Sequence, residues 1–397
     1  MRRAFLLLIF VPVFALAQTS DQITFQRTFL LRNVSGTAFN PGTTPHHVHL
    51  FTNGAWTSYV EGSAFLTHVS ESGPADRRTS TFSTNWIAAG AQCSFGSRGL
   101  LLIRARGSLE PLTIPKEGYP QLVQSISPES GGPLLDRMRA HDAIGELAAD
   151  LAWRMTTASY VHFYAGAVGD PALGPVPYAQ RTSSEEFAEA PFSYDVAEMA
   201  HEATRVVTAG VGGTMAVLEG GVFHHSVTKG QHGAIEDGTI DSWSGRLTLT
   251  PVRNLSLQFS QGALGDTKRK MTSGSVSFSA DHVASSAIWT RRESDLTPAM
   301  LTAFAFEILL RASRSALMAR AERVDDRLSP NQQLFTNPRT HLTLGYLFDF
   351  LTRGGYRAGL GVNLDYHNAF HTLPAYYGHK PQTVYVFARV RTDAMRR

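Results

Sequence analysis

The chain has 397 residues, which is enough for two ordinary domains or one large barrel. Its 36 Lys and Arg residues nearly balance 33 Asp and Glu residues, and a net charge of +3 gives no reason to expect a nucleic-acid partner. Cys93 is the single cysteine, so an intramolecular disulfide is excluded, and we expect it to lie on a strand as a small apolar residue.

The first 17 residues have the pattern of a cleaved signal peptide. Arg2 and Arg3 form a short basic region, residues 4–14 are apolar, and Ala15 and Ala17 frame a small-residue cleavage site. The apolar run is too short for a transmembrane helix, and no later segment has 18 uninterrupted apolar residues. The sequence therefore predicts that the protein is exported and that residues 18–397 form the mature chain. Three classes remain possible for it: a periplasmic protein, a secreted protein or an outer-membrane barrel.

Segments of alternating polar and apolar residues follow, and they come in pairs along the chain. The gaps within pairs are short, whereas the gaps between pairs are mostly longer and polar. Short turns at one rim and long loops at the other are typical of an outer-membrane barrel, with the turns periplasmic and the loops extracellular. The short gaps lie near 60–63, 96–98, 156–158, 212–214, 251–254, 280–282, 313–315 and 352–355, and the long ones at 70–83, 111–140, 169–203, 226–241, 265–270, 291–298, 324–338 and 368–382.

Two segments fit either a helix or a strand. Residues 141–154 carry apolar residues at helical spacing, but alternate residues also form a polar strand face. Residues 303–320 have the same ambiguity. Because both segments lie between repeated strand pairs, we predict strands for each of them.

The alternation is strictest near the C-terminal end. From Tyr356 to Tyr366 one face is apolar with a tyrosine at each end, and the other face carries Arg357, Asn363 and Asp365. Aromatic residues at both ends of an apolar row suit the two membrane interfaces. We predict an all-β protein: a single antiparallel transmembrane β-barrel of about 16–18 strands, the upper count requiring a strand at 23–32.

Ten stretches in this order resemble a family of uncharacterised bacterial outer-membrane β-barrel proteins. They include SLEPLT, GYPQLVQ, HDAIGELA, GDPALGP, DSWSGRL, AERVD and LTLGY, and they span nearly all of the chain after residue 17. The resemblance implies the barrel architecture and an outer-membrane location but no established activity. Some relatives occur beside copper-handling proteins, and relatives carry Met- and His-rich segments that are reduced in this chain.

Charged residues on predicted inner faces are the strongest functional signal. Arg104, Arg106 and Glu110 alternate along one predicted strand face, and a charge on the lipid side costs about 2–4 kcal/mol for Arg or Lys near the midplane. Opposed charges across a narrow part of the pore would select small polar solutes. Alternatively, the opposed charges form salt bridges that close the lumen. Segments 111–140 and 169–203 are long enough to fold into the lumen. The predicted pore-lining residues are Arg104, Arg106, Glu110, Glu146, Asp150, Arg154, Arg357, Asp365 and Arg389.

A metal site is an alternative interpretation of the histidines. His47 and His49 would share a strand face, and imidazole suits copper and zinc. The predicted ligands are His46, His47, His49 and His201. A cluster of His141, Asp142, Glu146 and Glu110 has acid–base groups, but the chain has no G-x-S-x-G stretch and no recognisable nucleophile, so we predict no enzyme and no cofactor.

The sequence therefore predicts a channel for passive passage of small polar solutes or ions, with membrane lipid as its other partner. The alternatives are a copper-associated binding protein of the outer membrane and a closed structural or adhesive barrel.

Overall fold

A computed structural model describes residues 30, 33–72, 78–126, 134–225, 235, 238–293, 300–325, 338–368 and 381–393. The predicted signal peptide lies outside these residues, as does the predicted strand at 23–32 apart from Leu30. Among the described residues, no helix is both long and apolar enough to cross a membrane. The helices are α1 (Glu110–Thr113) and α2 (Tyr194–Ala197), and the strands are β1 (Asn33–Ser35), β2 (Ala38–Phe39), β3 (Val48–Asn53), β4 (Trp56–Ser72), β5 (Thr79–Phe95), β6 (Gly99–Gly107), β7 (Tyr119–Ile126), β8 (Leu134–Met138), β9 (Ile144–Arg154), β10 (Ser159–Gly169), β11 (Ala203–Gly213), β12 (Ala216–His224), β13 (Ser242–Val252), β14 (Leu255–Leu264), β15 (Arg269–Ser279), β16 (Val283–Glu293), β17 (Met300–Ala312), β18 (Ser315–Asp325), β19 (Arg339–Arg353), β20 (Tyr356–Asn368) and β21 (Gln382–Thr392).

The wall of the molecule is a closed antiparallel barrel of sixteen strands, β4–β6 and β9–β21. Each strand pairs with its neighbour in this order, and β21 closes the barrel by pairing with β4 from Gln382↔Ser72 to Arg391↔Ser63. The short strand β3 pairs with the other end of β4, from Val48↔Glu61 to Asn53↔Trp56. The predicted all-β class and the lower end of the predicted strand count are confirmed.

Alternation along each strand separates a lipid-facing side from an inner side. On β20, Leu360 is 59% exposed, whereas Asn363 and Asp365 are almost fully buried in the barrel interior. Tyr356 and Tyr366 end the outward row, and both are exposed. Because an aromatic residue at each end of an apolar row matches the two membrane interfaces, β20 has the length and side-chain pattern of a membrane-crossing strand.

The connections alternate between short turns and long loops around the barrel, as predicted, with one error. The gap near 60–63 is wrong, because β4 runs unbroken from Trp56 to Ser72 and pairs with β5 from end to end. The true turn lies between β3 and β4, where Gly54 has φ +60°. Asn53 ends β3 and pairs with Trp56, so Gly54 and Ala55 are the two loop residues. Gly is preferred at the first position of a two-residue II′ turn, where φ is positive.

Both ambiguous segments are strands. Residues 144–154 form β9, which pairs with β6 and β10, and residues 300–325 form the hairpin β17–β18. Two neighbouring strands satisfy the backbone of β9 along its length, and this pairing outweighs the local preference of its sequence for a helix.

Candidate functional site: the barrel lumen

The barrel interior is occupied by the connection between β10 and β11, residues 170–202, which we call the plug segment. Every one of its residues is buried or half-buried. It contains α2 and a series of turns, and its side chains and backbone contact inward-facing residues of many wall strands. The sequence predicts that segment 169–203 is long enough to fold inward, and the structure places residues 170–202 in the lumen.

The strongest link between plug and wall is a buried pair between Arg181 and Glu307 of β17. The Arg181 guanidinium donates from Nε to Glu307 Oε2 at 2.8 Å and from Nη2 to Oε1 at 3.0 Å. Its remaining Nη1 donates to Glu198 Oε1 at 2.8 Å. On the wall, Arg320 of β18 donates to Glu307 Oε1 at 3.1 Å. Two parallel bonds between a guanidinium and a carboxylate fix geometry as well as contributing energy, so this pair positions the plug.

A second link joins the plug acids Glu185 and Glu186 to arginines of β21. Arg391 lies 2.8 Å from Glu186 Oε1 and 3.2 Å from Glu185 Oε1, and Arg389 Nε lies 3.2 Å from Glu186 Oε2. Arg311 of β17 also contacts Glu185. Although burial raises the pKa of each plug carboxyl, the surrounding arginines hold it below its ordinary value, so both acids are ionised at neutral pH.

The plug is also anchored through its backbone. The backbone N–H groups of Phe192 and Ser193 donate to the Glu322 carboxylate of β18 at 2.9 and 2.8 Å. Ser260 of β14 accepts a hydrogen bond from Gly174 N–H at 2.9 Å. These contacts satisfy buried polar groups of an irregular segment, which would otherwise be costly.

A second inward element is the N-terminal hairpin of β1 and β2, and it contacts the predicted pore-lining arginines. Arg104 pairs with Glu146 at 2.8 Å and also donates to the backbone carbonyl of Gly36. Arg106 pairs with Asp170 of the plug at 3.4 Å and donates to Ser35. These wall charges therefore face the interior, as predicted, and are paired there.

Glu110 is not on the strand face predicted for it. Strand β6 ends at Gly107, and Glu110 begins α1, where it is buried. Its carboxylate accepts hydrogen bonds from the backbone N–H of Asn85 at 3.2 Å and of His141 at 2.8 Å. It also meets His141 Nδ1 at 2.7 Å. The strand ends before Glu110, although the alternation of residues continues to it. Pro111 explains the difference, because Pro is favoured in the first turn of a helix.

The Glu110–His141 contact predicts a pH dependence. Burial lowers the pKa of His141, but the Glu110 carboxylate raises it more, and the result is a pKa of about 9. Because the ordinary histidine pKa is about 6.5, the contribution of this ion pair to the stability of the folded protein is complete below pH 6.5. It is lost as the pH rises through about 9 and His141 loses its proton. We expect NMR titration of labelled histidine to find this raised pKa, and the Glu110→Gln variant to bring it to 6.5 or lower. A wild-type pKa at or below 6.5 would contradict the assignment.

The other predicted pore-lining residues also lie at the inner face or a rim. Asp150 contacts His162 at 3.4 Å, Arg357 and Arg389 both contact Asp349, and Asp365 contacts His341. Arg154 lies at the rim of short turns, where it donates to the backbone carbonyl of Ser97 at 2.5 Å. That these residues line a conducting pore stays a prediction.

The four predicted metal ligands are not brought together. His47 Nε2 lies 3.2 Å from Glu185, His49 packs against the ring of Tyr356, and His201 lies between Asp170 and Glu198. In the part of the chain that the structure describes, no group of three candidate ligand atoms within 4.8 Å includes any of the four. Metal binding by these histidines stays a prediction.

A small cavity remains where the plug, the residues around Glu110 and His141, and the wall meet. Its volume is about 50 Å³, and Glu110, His141, Asp142, His201 and Glu202 are among its lining residues. Space of this size holds a few water molecules rather than a solute. The lumen at this level therefore offers polar groups but little room while the plug is in place.

The fold is a closed barrel of sixteen antiparallel strands, and solved outer-membrane porins share it. An anion-selective porin from Comamonas acidovorans has this fold, with a TM-score of 0.51 and 11% identity over 84% of this chain and 99% of that chain. OmpT, an outer membrane protein of Vibrio cholerae, gives a TM-score of 0.49 at 10% identity, covering 86% and 99% of the two chains. A mutant Rh. blastica porin gives 0.45 at 12% identity, covering 85% and 99%. No family model and no curated protein matches the chain.

Proposed function

We propose that this protein is an outer-membrane channel for passive passage of small polar solutes or ions, and that the plug segment restricts the passage. The observation that carries the proposal is the composition of the interior. Acidic and basic side chains of the wall, such as Glu307, Arg320 and Arg389, face a lumen that is occupied by a folded loop and pair with charges there. Opposed charges beside a narrow polar route select small charged or polar solutes and exclude apolar ones.

The fold supports the same class of function. A closed wall of sixteen strands encloses a lumen wide enough for an aqueous channel, and in this protein a 33-residue connection between two wall strands occupies it. Such a channel requires no catalytic residue and no cofactor. Its surroundings are membrane lipid on the outer face and solutes or ions inside; nucleic acid has no role in it.

The test is the conductance of the purified, folded protein in planar lipid bilayers. We expect small, discrete conductance steps for the wild-type chain, because the plug leaves little free space. A protein that shows no steps, and that still shows none after removal of the plug segment, would overturn the proposal. Current that appears only after removal of the plug would also overturn it for the wild-type chain.

The second candidate is a closed barrel with a structural or adhesive role. The near-complete burial of residues 170–202 favours it, since a plug held by many ion pairs blocks the lumen at rest. Bilayer conductance separates the two, because the closed barrel passes no current with its plug in place.

A further inference from the structure

Three inward-facing side chains near one rim of the barrel form a compact group of metal-ligand type. His341 of β19 lies directly opposite His367 of β20, and Asp365 precedes His367 by two residues and so shares its face. One ligand atom from each of the three residues lies within 4.8 Å of the others. All three residues are at most 5% exposed. None of them belongs to the histidines near the N-terminus that the sequence singled out.

Some of the potential metal-ligand atoms in this group make no hydrogen bond within the protein. Among the described residues, neither carboxylate oxygen of Asp365 accepts a hydrogen bond, and His341 Nε2 makes none. The Asp365 Oδ2 atom lies 3.1 Å from His341 Nε2, at ion-pair distance. Asp365 Oδ1 has neither a hydrogen bond nor an ion pair among the described residues, and a buried carboxylate oxygen left in this way is costly.

The surroundings of His341 match those of a metal-bound imidazole. Glu322 of β18 lies opposite His341 and contacts its Nδ1 at 3.4 Å. A carboxylate on one ring nitrogen orients the other nitrogen toward a metal and increases its basicity. The Glu322 carboxylate is itself held in place by the plug backbone at Phe192 and Ser193. His341 Nε2 is thus fixed on the side of Asp365.

We propose that His341, Asp365 and His367 bind one divalent transition-metal ion of the class represented by Zn²⁺ and Cu²⁺. Two imidazoles and one carboxylate suit these ions, whereas Mg²⁺ and Ca²⁺ prefer oxygen ligands alone. Three protein ligands leave a coordination position for water or a small anion. The proposal does not depend on whether the lumen conducts, because the ligands lie on the wall itself.

The site lies near the rim of the barrel that carries the long loops. His367 is next to the last residue of β20, and His341 is the third residue of β19. The competing arrangement is a metal-free ionic group, in which a protonated His341 bridges Glu322 and Asp365. The two arrangements differ in whether the folded protein takes up metal.

Calorimetric titration of the detergent-solubilised, folded protein with Zn²⁺ tests the site. We expect the wild-type chain to bind one equivalent that the His367→Gln and Asp365→Asn variants lack. The matched control is His162→Gln, since His162 is also buried on the inner wall between two carboxylates but belongs to no group of three candidate ligands among the described residues. The control is expected to keep the equivalent, as is a His47→Gln variant.

Electron paramagnetic resonance with Cu²⁺ on the wild-type protein gives a readout that does not depend on any variant folding. We expect nitrogen hyperfine coupling from two imidazoles at one bound Cu²⁺. Absence of stoichiometric Zn²⁺ binding, a bound Cu²⁺ without two-nitrogen coupling, or an unchanged equivalent in a folded His367→Gln variant would each overturn the proposal.

Discussion

Replacing residues 172–200 with a short Gly–Ser linker is expected to raise the single-channel conductance by roughly tenfold or more, since a sixteen-stranded barrel without an inner segment encloses an open aqueous lumen. In this variant the wall keeps the ion pair between Arg320 and Glu307. Wall side chains that lose an ion-pair partner in the plug become hydrated. Planar-bilayer recording measures the effect, and heat-dependent gel migration verifies that the barrel is folded.

The control for this deletion is a change of similar kind outside the lumen. Replacing the four-residue connection 265–268 between β14 and β15 with Gly and Ser is expected to leave conductance unchanged, because this connection lies at the rim. If the plug deletion left a folded barrel with wild-type conductance, residues 172–200 would not be the element that restricts the lumen.

The Glu307→Gln variant is expected to destabilise the plug by about 3–5 kcal/mol, the usual cost of removing one partner from a buried pair. Glu307 serves two guanidinium groups, those of Arg181 and Arg320, and also accepts a hydrogen bond from Ser183 at 2.9 Å. When Glu307 loses its charge, the buried guanidinium groups of Arg181 and Arg320 lose the carboxylate that neutralises both of them. Faster hydrogen exchange in residues 178–198 and more frequent conducting events are the readouts.

A matched variant separates this effect from a general loss of charge. Glu293→Gln makes the same substitution at the end of β16, where the carboxylate accepts an exposed hydrogen bond from Lys270 N–H. It is expected to change exchange in the plug by less than the error of measurement. A double-mutant cycle of Arg181→Gln and Glu307→Gln then reports the coupling between the two residues. Equal exchange rates in wild type and Glu307→Gln would contradict the assigned role.

Much of the wall could be predicted from the sequence because its rule is local. Successive residues point to opposite sides of a strand, so the outward position of Leu360 and the inward position of Asp365 can be predicted without knowing which residues they contact. The prediction of a turn at 60–63 is wrong because Gly62 and Ser63 are typical turn residues, whereas the chain turns a few residues earlier, at Gly54 and Ala55.

The contents of the lumen were harder to predict because they depend on distant pairs. Arg181 and Glu307 are 126 residues apart, and nothing local indicates that they meet. The sequence indicated only which connections were long enough to fold inward. The His341–Asp365–His367 group was also missed, although the alternation on β20 already places Asp365 and His367 on one face.

The pairing of β21 with β4 has a consequence for how the molecule is made. Until β21 is in register with β4, a row of backbone amides and carbonyls on each of the two strands has no partner, and lipid offers none. Closure of the barrel therefore requires β21, and a chain that stops short of Gln382 leaves a seam open to the membrane along its whole height.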